Sequence, residues 1–384
     1  MDVDLALVGF GGAAALTLIE LARAGVPGLR VATVDPAGLP EDGRADHGRR
    51  RTWAFWTGAT DDLDPVLDAQ WPAVDLHGPS GVQRLDLGPG RYAMVRSEPV
   101  FAQALAAADR LGSVNIRAAA GTLADDGSAV EIRDESGTTV CRARWVLDSR
   151  PARPVKPGHT FWLQHFRGWW VRSADPIFDP ASAVLMDFRT PQPDRGVSFG
   201  YVLPTGATTA LIEYTEFSPA RLGGDAYDTA LTAYTRLWNL KNLTIDEVED
   251  GAIPMTDGVF ERRPSARVVR IGTAGGATRP STGYTFSAMR RQARQIAELV
   301  KNGHDPVPDA AYPRRHLWMD AVALHAWDSG LVAAPDFFER LFRRNPADRV
   351  LRFLDGRTTP AEELALMAST PLVPMTRAAA RVTF

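Results

Sequence analysis

The chain has 384 residues, 45% of them hydrophobic and 23% charged, with a formal net charge of −3. That length supports two domains, or one large α/β body with an inserted sheet, and the near-neutral balance gives no reason to expect nucleic-acid binding. A single cysteine, Cys141, excludes an intrachain disulfide and any cysteine-rich metal site, and fits a reducing cytoplasm. No run of about 18 uncharged apolar residues occurs, so any membrane contact is expected to be peripheral. The opening MDVDLALVGFGG has two aspartates and no basic segment, so it does not read as a signal peptide.

Residues 4–35 form the clearest unit. DLALVGF reads as a short buried strand, GFGGAAA as a glycine-rich turn, LTLIELARAG as a helix ending at Gly25, and LRVATVD as a second strand. Gly9, Gly11 and Ala14, with Gly12 in the same turn, follow the G-x-G-x-x-G/A pattern. The glycines let the chain turn and a pyrophosphate approach, and the helix N-terminus offers free N–H groups. Asp35 closes the second strand about 20 residues on, where a carboxylate would meet the adenosine ribose. The pattern predicts a dinucleotide site and does not distinguish FAD from NAD.

Beyond Asp35, PAGLPEDGRADHGRR reads as a polar surface loop, with Arg49 to Arg51 either solvated or contacting cofactor phosphate. RTWAFW (51–56) follows directly. DDLDPVLD (61–68) has neither DDxxD nor DxDD spacing and is read as a solvated loop, not a metal site. SEPVFAQALAAADRLG (97–112) predicts a helix capped by Ser97, with Phe101, Leu105 and Leu111 on its apolar face. Residues 114–148 read as short strands ending in WVLDS.

From 160 to 250 an antiparallel sheet is expected. FWLQHFRGWWV is either plain core or the wall of an aromatic pocket. GVSFGYVLPTGATTALIEYTEFSP (196–219) predicts a hairpin. In its second strand a period of two places Leu211, Glu213, Thr215 and Phe217 on one face, and Ile212, Tyr214 and Glu216 on the other. Glu213 therefore falls in an apolar row, where burial favours the protonated acid and a role as proton donor; a partly exposed glutamate at a sheet edge is the other reading. ARVVRIG (266–272) is a further strand, and TAGGATRPSTGYTF leads into a helix, with Gly275, Gly276, Thr282 and Gly283 expected to present backbone N–H groups to a cofactor. Beyond 305 the pattern is largely helical, including PDFFERLFRRN and DRVLRFLDG.

Several of these blocks together resemble one family. GxGxxA with its acid, RTWAFW, the FDP and LMDF segments, LIEYTEF, GAIPM, GTAGGATRPSTGY and FLDG occur in the order found in bacterial flavin-dependent lycopene cyclases, over roughly residues 4 to 370. LIEYT is similar to the FLEET-type motif, whose first glutamate matches Glu213; Tyr214 stands where the family has a second acidic residue. The resemblance implies an α/β fold with a Rossmann-like FAD-binding domain of the glutathione-reductase or p-hydroxybenzoate-hydroxylase kind, over 1–155 and 251–304. An antiparallel substrate domain would be inserted at 156–250, with a mainly helical part at 305–384.

It further implies a redox-neutral isomerase that closes the ends of lycopene, using reduced FAD with NADPH as reductant. Glu213 would be the acid. Gly9, Gly11, Gly12, Ala14, Asp35, Arg51, Thr52, Trp53, Gly275, Gly276, Thr282 and Gly283 would hold the cofactor. The partner would be an apolar carotenoid reached at the inner face of a membrane, with no metal and no nucleic acid. Alternatives are a redox flavoenzyme such as a polyprenyl reductase or hydroxylase, a cyclase acting on another terpenoid, and a binding module for a polyene. If Glu213 is not the acid, Glu216 or Asp187 is next in line.

Overall fold

A computed structural model describes residues 1–39, 50–240 and 242–382. Most of the predicted polar loop, Arg49 included, lies outside these residues.

The opening βαβ unit forms as the sequence dictates. Strands Asp2–Val8 and Val31–Asp35 pair in parallel, and the helix Gly12–Ala24 between them ends at Gly25 in the left-handed conformation (φ 64°). These strands sit within a seven-stranded sheet. Val114–Arg117 extends it in parallel on one side. On the other side lies Thr139–Asp148, which pairs in parallel with both Asp2–Val8 and Val268–Arg270. Val130–Asp134 and Ala120–Asp125 complete the sheet as an antiparallel meander. Helices Gly12–Ala24, Ser97–Leu111 and Phe286–Lys301 cover one face through Leu16, Phe101, Ile296 and their neighbours.

Ser97 does not cap its helix. Arg96 is the N-cap residue, and the Ser97 hydroxyl accepts the Arg51 N–H instead, tying the RTWAFW segment to the helix start. The acidic 61–68 segment is a partly exposed loop with one short 3-10 turn, and its first two acids are tied down. Asp61 and Asp62 pair with Arg290, and Asp62 also with Arg23 and Arg294, which clamps the segment onto the helix Phe286–Lys301. No acid cluster suited to a metal is present among the described residues.

The second seven-stranded sheet runs in the order Thr244–Thr256, Phe161–Arg172, Thr209–Ser218, Val197–Pro204, Ser182–Asp187, Ala73–Gly78, Gly81–Asp86. All neighbours are antiparallel except Ser182–Asp187 with Ala73–Gly78. The hairpin at 73–86 comes from well before the expected inserted segment. Residue 251, where the reading of the sequence returned to the nucleotide-binding part, lies inside the strand Thr244–Thr256, with Gly251 paired to Phe166. The cause at Gly251 is packing: a Cβ there would sit 2.2 Å from the Phe166 ring.

Both faces of the central strands of this sheet are buried, while the edge strands Thr244–Thr256 and Gly81–Asp86 are mostly exposed or half-buried. The helix Gly224–Leu237 covers one, packing Tyr227, Leu231 and Tyr234 on Ile212, Tyr214 and Val202. The other faces the three-stranded sheet (Thr52–Thr57, Arg91–Arg96, Ala69–Trp71) and helices Arg314–Asp328, Ala334–Arg344, Ala347–Leu354, Pro360–Ser369 and Leu372–Ala379. The tryptophans of FWLQHFRGWWV resolve as core and surface packing. Trp162 is fully buried with its Nε1–H donating to Asp328, and Trp169 packs under the helix Gly224–Leu237.

Candidate active site

A cavity of about 430 Å³ opens where the glycine turn, the three-stranded sheet and the inner face of the second sheet converge. Its size suits a small-molecule site. Among the residues expected to act, it gathers Gly11, Gly12, Arg51, Thr52, Trp53, Glu213, Thr282 and Gly283. The alternation of the hairpin decides who faces it. Leu211, Glu213, Thr215 and Phe217 line the wall, with Phe199, Tyr201 and Leu203 from the partner strand.

Glu213 lies on the third strand of seven, well inside the sheet, and is 9% exposed. Burial pushes its carboxyl up to about 8; the hydrogen bond from the Thr215 hydroxyl pulls the other way, and the Glu249 charge adds to the rise. At neutral pH it is therefore mainly the protonated acid. Glu216 and Asp187 face away from the cavity. The Tyr214 hydroxyl donates to Glu216, while Asp187 accepts bonds from Arg189 and from Tyr234 at 3.0 Å. Burial would raise the Asp187 carboxyl, but Arg189 outweighs it and holds it below its ordinary value.

Across the second sheet, Glu249, Gly168, Glu213 and Tyr201 stand in one register row. Glu249 is 8% exposed and raised by burial; it accepts both the Thr52 N–H at 2.7 Å and the Thr52 hydroxyl at 2.6 Å. Gly168 keeps the space between the two acids open, since a Cβ there would meet Leu211 at 2.8 Å and Glu213 Oε2 at 3.7 Å. Beside Glu213 three tyrosines converge, Tyr92 buried and Tyr201 and Tyr284 partly buried. Tyr92 and Tyr201 join hydroxyl to hydroxyl, and Tyr284 lies edge-on to Trp56 at 4.7 Å. Burial pushes the phenols of Tyr92 and Tyr201 well up, so both stay neutral.

Reading the sequence missed Glu249 and these tyrosines. Tyr201 was accessible to it, because the same alternation that selects Glu213 selects its cross-strand partner. Tyr92 and Tyr284 come from distant segments that no local pattern links.

The glycine positions divide by role. Gly9 adopts φ +82° and turns the chain against Ser149. Gly11 has open space where a Cβ would go, whereas at Gly12 a Cβ would lie 2.8 Å from the Trp53 ring. Ala14 is buried in helix packing, and Asp35 accepts the N–H groups of Phe10 and Ala37. Neither lines the cavity.

The late glycine segment behaves differently from expectation. Gly275 and Gly276 donate their N–H groups to Ile271 and Thr273, and Thr282 and Gly283 donate theirs to Arg279, so all four are engaged inside their own turns. Gly275 is required because a Cβ would lie 2.3 Å from the Arg270 carbonyl oxygen. What this segment offers the cavity is side-chain chemistry. The Thr282 hydroxyl is buried without a partner, as is Gln164 Oε1 on the facing strand.

These features fit a flavin dinucleotide. The helix Gly12–Ala24 has neither a side-chain cap nor an acid in its first turn. Its first intrahelical bond is Ala15 N–H to the Gly11 carbonyl, which leaves earlier N–H groups for an anion. The open side of Gly11, the exposed Arg51 guanidinium and the two orphaned polar atoms supply contacts of the right type.

The chain has an α/β fold with a Rossmann-like sheet, a fold that it shares with solved proteins of several kinds. A geranylgeranyl bacteriochlorophyll reductase-like protein from Thermoplasma acidophilum superposes with a TM-score of 0.64 at 13% identity, covering 98% of both chains. The flavin-dependent brominase Bmp2 superposes with a TM-score of 0.63 at 15% identity, covering 96% of this chain and 98% of the brominase. The chain belongs to the lycopene cyclase family: the family described as "Lycopene cyclase protein" matches residues 4–380. A lycopene beta-cyclase of Paracoccus sp. is 29% identical, covering 98% of this chain and 96% of that relative.

Proposed function

We propose that the protein is a flavin-dependent isomerase that cyclises the ends of lycopene without net redox change, with Glu213 as the proton donor. The observation that carries this reading is a carboxylic acid, raised to about 8 by burial, in the wall of an apolar cavity beside an uncapped helix N-terminus. Gly9, Gly11, Gly12, Arg51, Thr52 and Trp53 hold the cofactor on one side; Thr282, Gln164 and Gly283 border it on the other. Asp35 and Ala14 shape the nucleotide turn, and Gly275 and Gly276 fix the late loop. Reduced FAD, with NADPH as reductant, supplies fixed negative charge next to the cavity when bound.

The Glu213 proton goes to the terminal trisubstituted alkene and leaves a tertiary cation. An inner double bond attacks that cation and closes the ring, and loss of a ring proton restores neutrality. Tyr201, Tyr92, Tyr284 and Trp56 surround the developing charge with π faces and oriented hydroxyls. The apolar walls exclude water, which would otherwise capture the cation.

Incubating the protein anaerobically with lycopene in liposomes, FAD and NADPH tests this. The expected product is a carotenoid of unchanged mass, absent with Glu213→Gln. A mass change of two hydrogens or one oxygen would mean ordinary flavin redox chemistry, the reading of a polyprenyl reductase or hydroxylase. No helix of the described residues is long and apolar enough to cross a membrane. In this reading substrate is taken up by peripheral docking, for which exposed Leu364, Leu372 and Val373 on the C-terminal helices are suited. Flotation with liposomes measures this, and protein that stays at the bottom of the gradient at every lipid composition rules it out.

A further inference from the structure

A second cavity, of about 210 Å³, lies among the C-terminal helices. Thr282, Phe338 and Leu354 line both cavities, so a single layer of side chains separates them. Of the polar groups on its wall, the Thr282 hydroxyl and the Trp327 indole N–H are buried without a partner, and others are engaged. Asp320 is held by Arg279 and by the Ser281 hydroxyl at 2.7 Å, and the Thr370 hydroxyl donates to the Met367 carbonyl. The rest of the wall is mostly hydrocarbon and aromatic, which favours a predominantly apolar ligand. On its outer side Leu372 is 57% exposed and is followed by Val373 at 65%. Apolar surface therefore runs from solvent into the second cavity, which the side chains of Thr282, Phe338 and Leu354 divide from the first. Protein interiors seldom keep spaces of this size unfilled.

We infer that this second cavity is the distal half of the substrate site and holds the hydrocarbon body of the linear polyene while one end lies beside Glu213. The inference rests on the function proposed above, because it takes the ligand of the first cavity to be a polyene. A rod-shaped conjugated chain can bring only one end to the acid at a time. The rest needs a dry apolar space, and the second cavity lies directly behind Phe338 and Leu354, whose side chains move aside for the chain to pass.

Two variants fill the space from different helices: Ala323→Phe on Arg314–Asp328 and Met375→Trp on Leu372–Ala379. Met375 is only partly buried and accepts the larger ring if Ala323→Phe fails to fold, which near-ultraviolet circular dichroism reports. The ratio of kcat/KM for lycopene to that for a half-length polyene with one lycopene-type end is expected to fall at least tenfold. An unchanged ratio in a folded variant overturns the assignment. Lycopene retained through gel filtration gives a readout that needs no turnover, and it is expected to fall at least tenfold. If the parent retains lycopene but converts neither substrate, the proposed function fails while reduced retention in the variants still supports the site. If the parent converts lycopene and the variants match it in ratio and retention, the site fails and the function stands.

Discussion

Glu213 makes the stability of the protein depend on pH in a direction that a surface carboxylate would not. Unfolded, its carboxyl ionises near its ordinary 4.5; folded, burial holds the proton until about 8. Between those values the folded state binds a proton that the unfolded state has released. Stability from this group is therefore fully present below 4.5 and is lost as pH rises to 8. At about 1.4 kcal/mol per pH unit, the interval amounts to at most about 5 kcal/mol. Glu213→Gln keeps the shape and the Thr215 neighbour but cannot ionise, so its stability lacks this slope. Urea unfolding followed by tryptophan fluorescence, from pH 5 to 9, compares the two chains with all other titrating groups in common. The expected result is near equality at pH 5 and a variant more stable by several kcal/mol at pH 9. Turnover by the parent should also decline above pH 8, where the acid is lost. Parallel stability curves would refute the reasoning, because they would mean that Glu213 is ionised in the folded protein.

Other perturbations test the supporting structure. Gly283→Ala puts a Cβ 1.9 Å from Gln164 Oε1 at φ +69°, so it should destabilise by more than about 1 to 2 kcal/mol, read from the thermal midpoint. Glu249→Ala strands the Thr52 N–H and hydroxyl in a buried place; a loss of roughly 2 to 4 kcal/mol in urea is expected, and unchanged stability would mean that water replaces the carboxylate. Asp320→Ala leaves Arg279, fully buried and with both terminal nitrogens already unpartnered, without its counter-charge. A loss of about 3 to 5 kcal/mol is expected in the same measurement.

Local periodicity carried much of this architecture. The βαβ unit and its Gly25 stop were legible because a glycine turn, an apolar helix and two short strands follow one another without interruption. The cavity-facing row of the hairpin was legible because a strand alternates strictly, whichever elements later cover it. Long-range pairing was not. Nothing in residues 73–86 announces that they close the edge of a sheet whose other strands begin about a hundred residues later, and the ladder with Ser182–Asp187 is parallel and so needs no local turn. The late glycine loop misled for a related reason. Glycine spacing marks a tight turn, but whether the N–H groups point outward or close the turn depends on the backbone, and here they close it.

The same alternation explains how Tyr214 can replace the second acid of the family motif. Residue 214 projects from the face opposite Glu213, into the layer formed by Tyr227, Leu231 and Tyr234. An acid at that position would enter this layer and have no path to the cavity. Tyr214 fills it with an aromatic ring that is 5% exposed and gives its hydroxyl to Glu216 at 3.1 Å. Tyr214 is therefore a packing residue, and the proposed reaction would draw on Glu213 as the single acid of this strand that reaches the cavity. Tyr214→Phe should lower stability by about 1.5 to 3 kcal/mol through the lost hydrogen bond to a buried carboxylate, visible as a shift in the urea midpoint with an unchanged slope. Product formation from lycopene should stay within a factor of two of the parent. A folded Tyr214→Phe chain that binds lycopene normally and yields a tenth of the product or less would refute this, since the hydroxyl would then reach the reacting end through the strand.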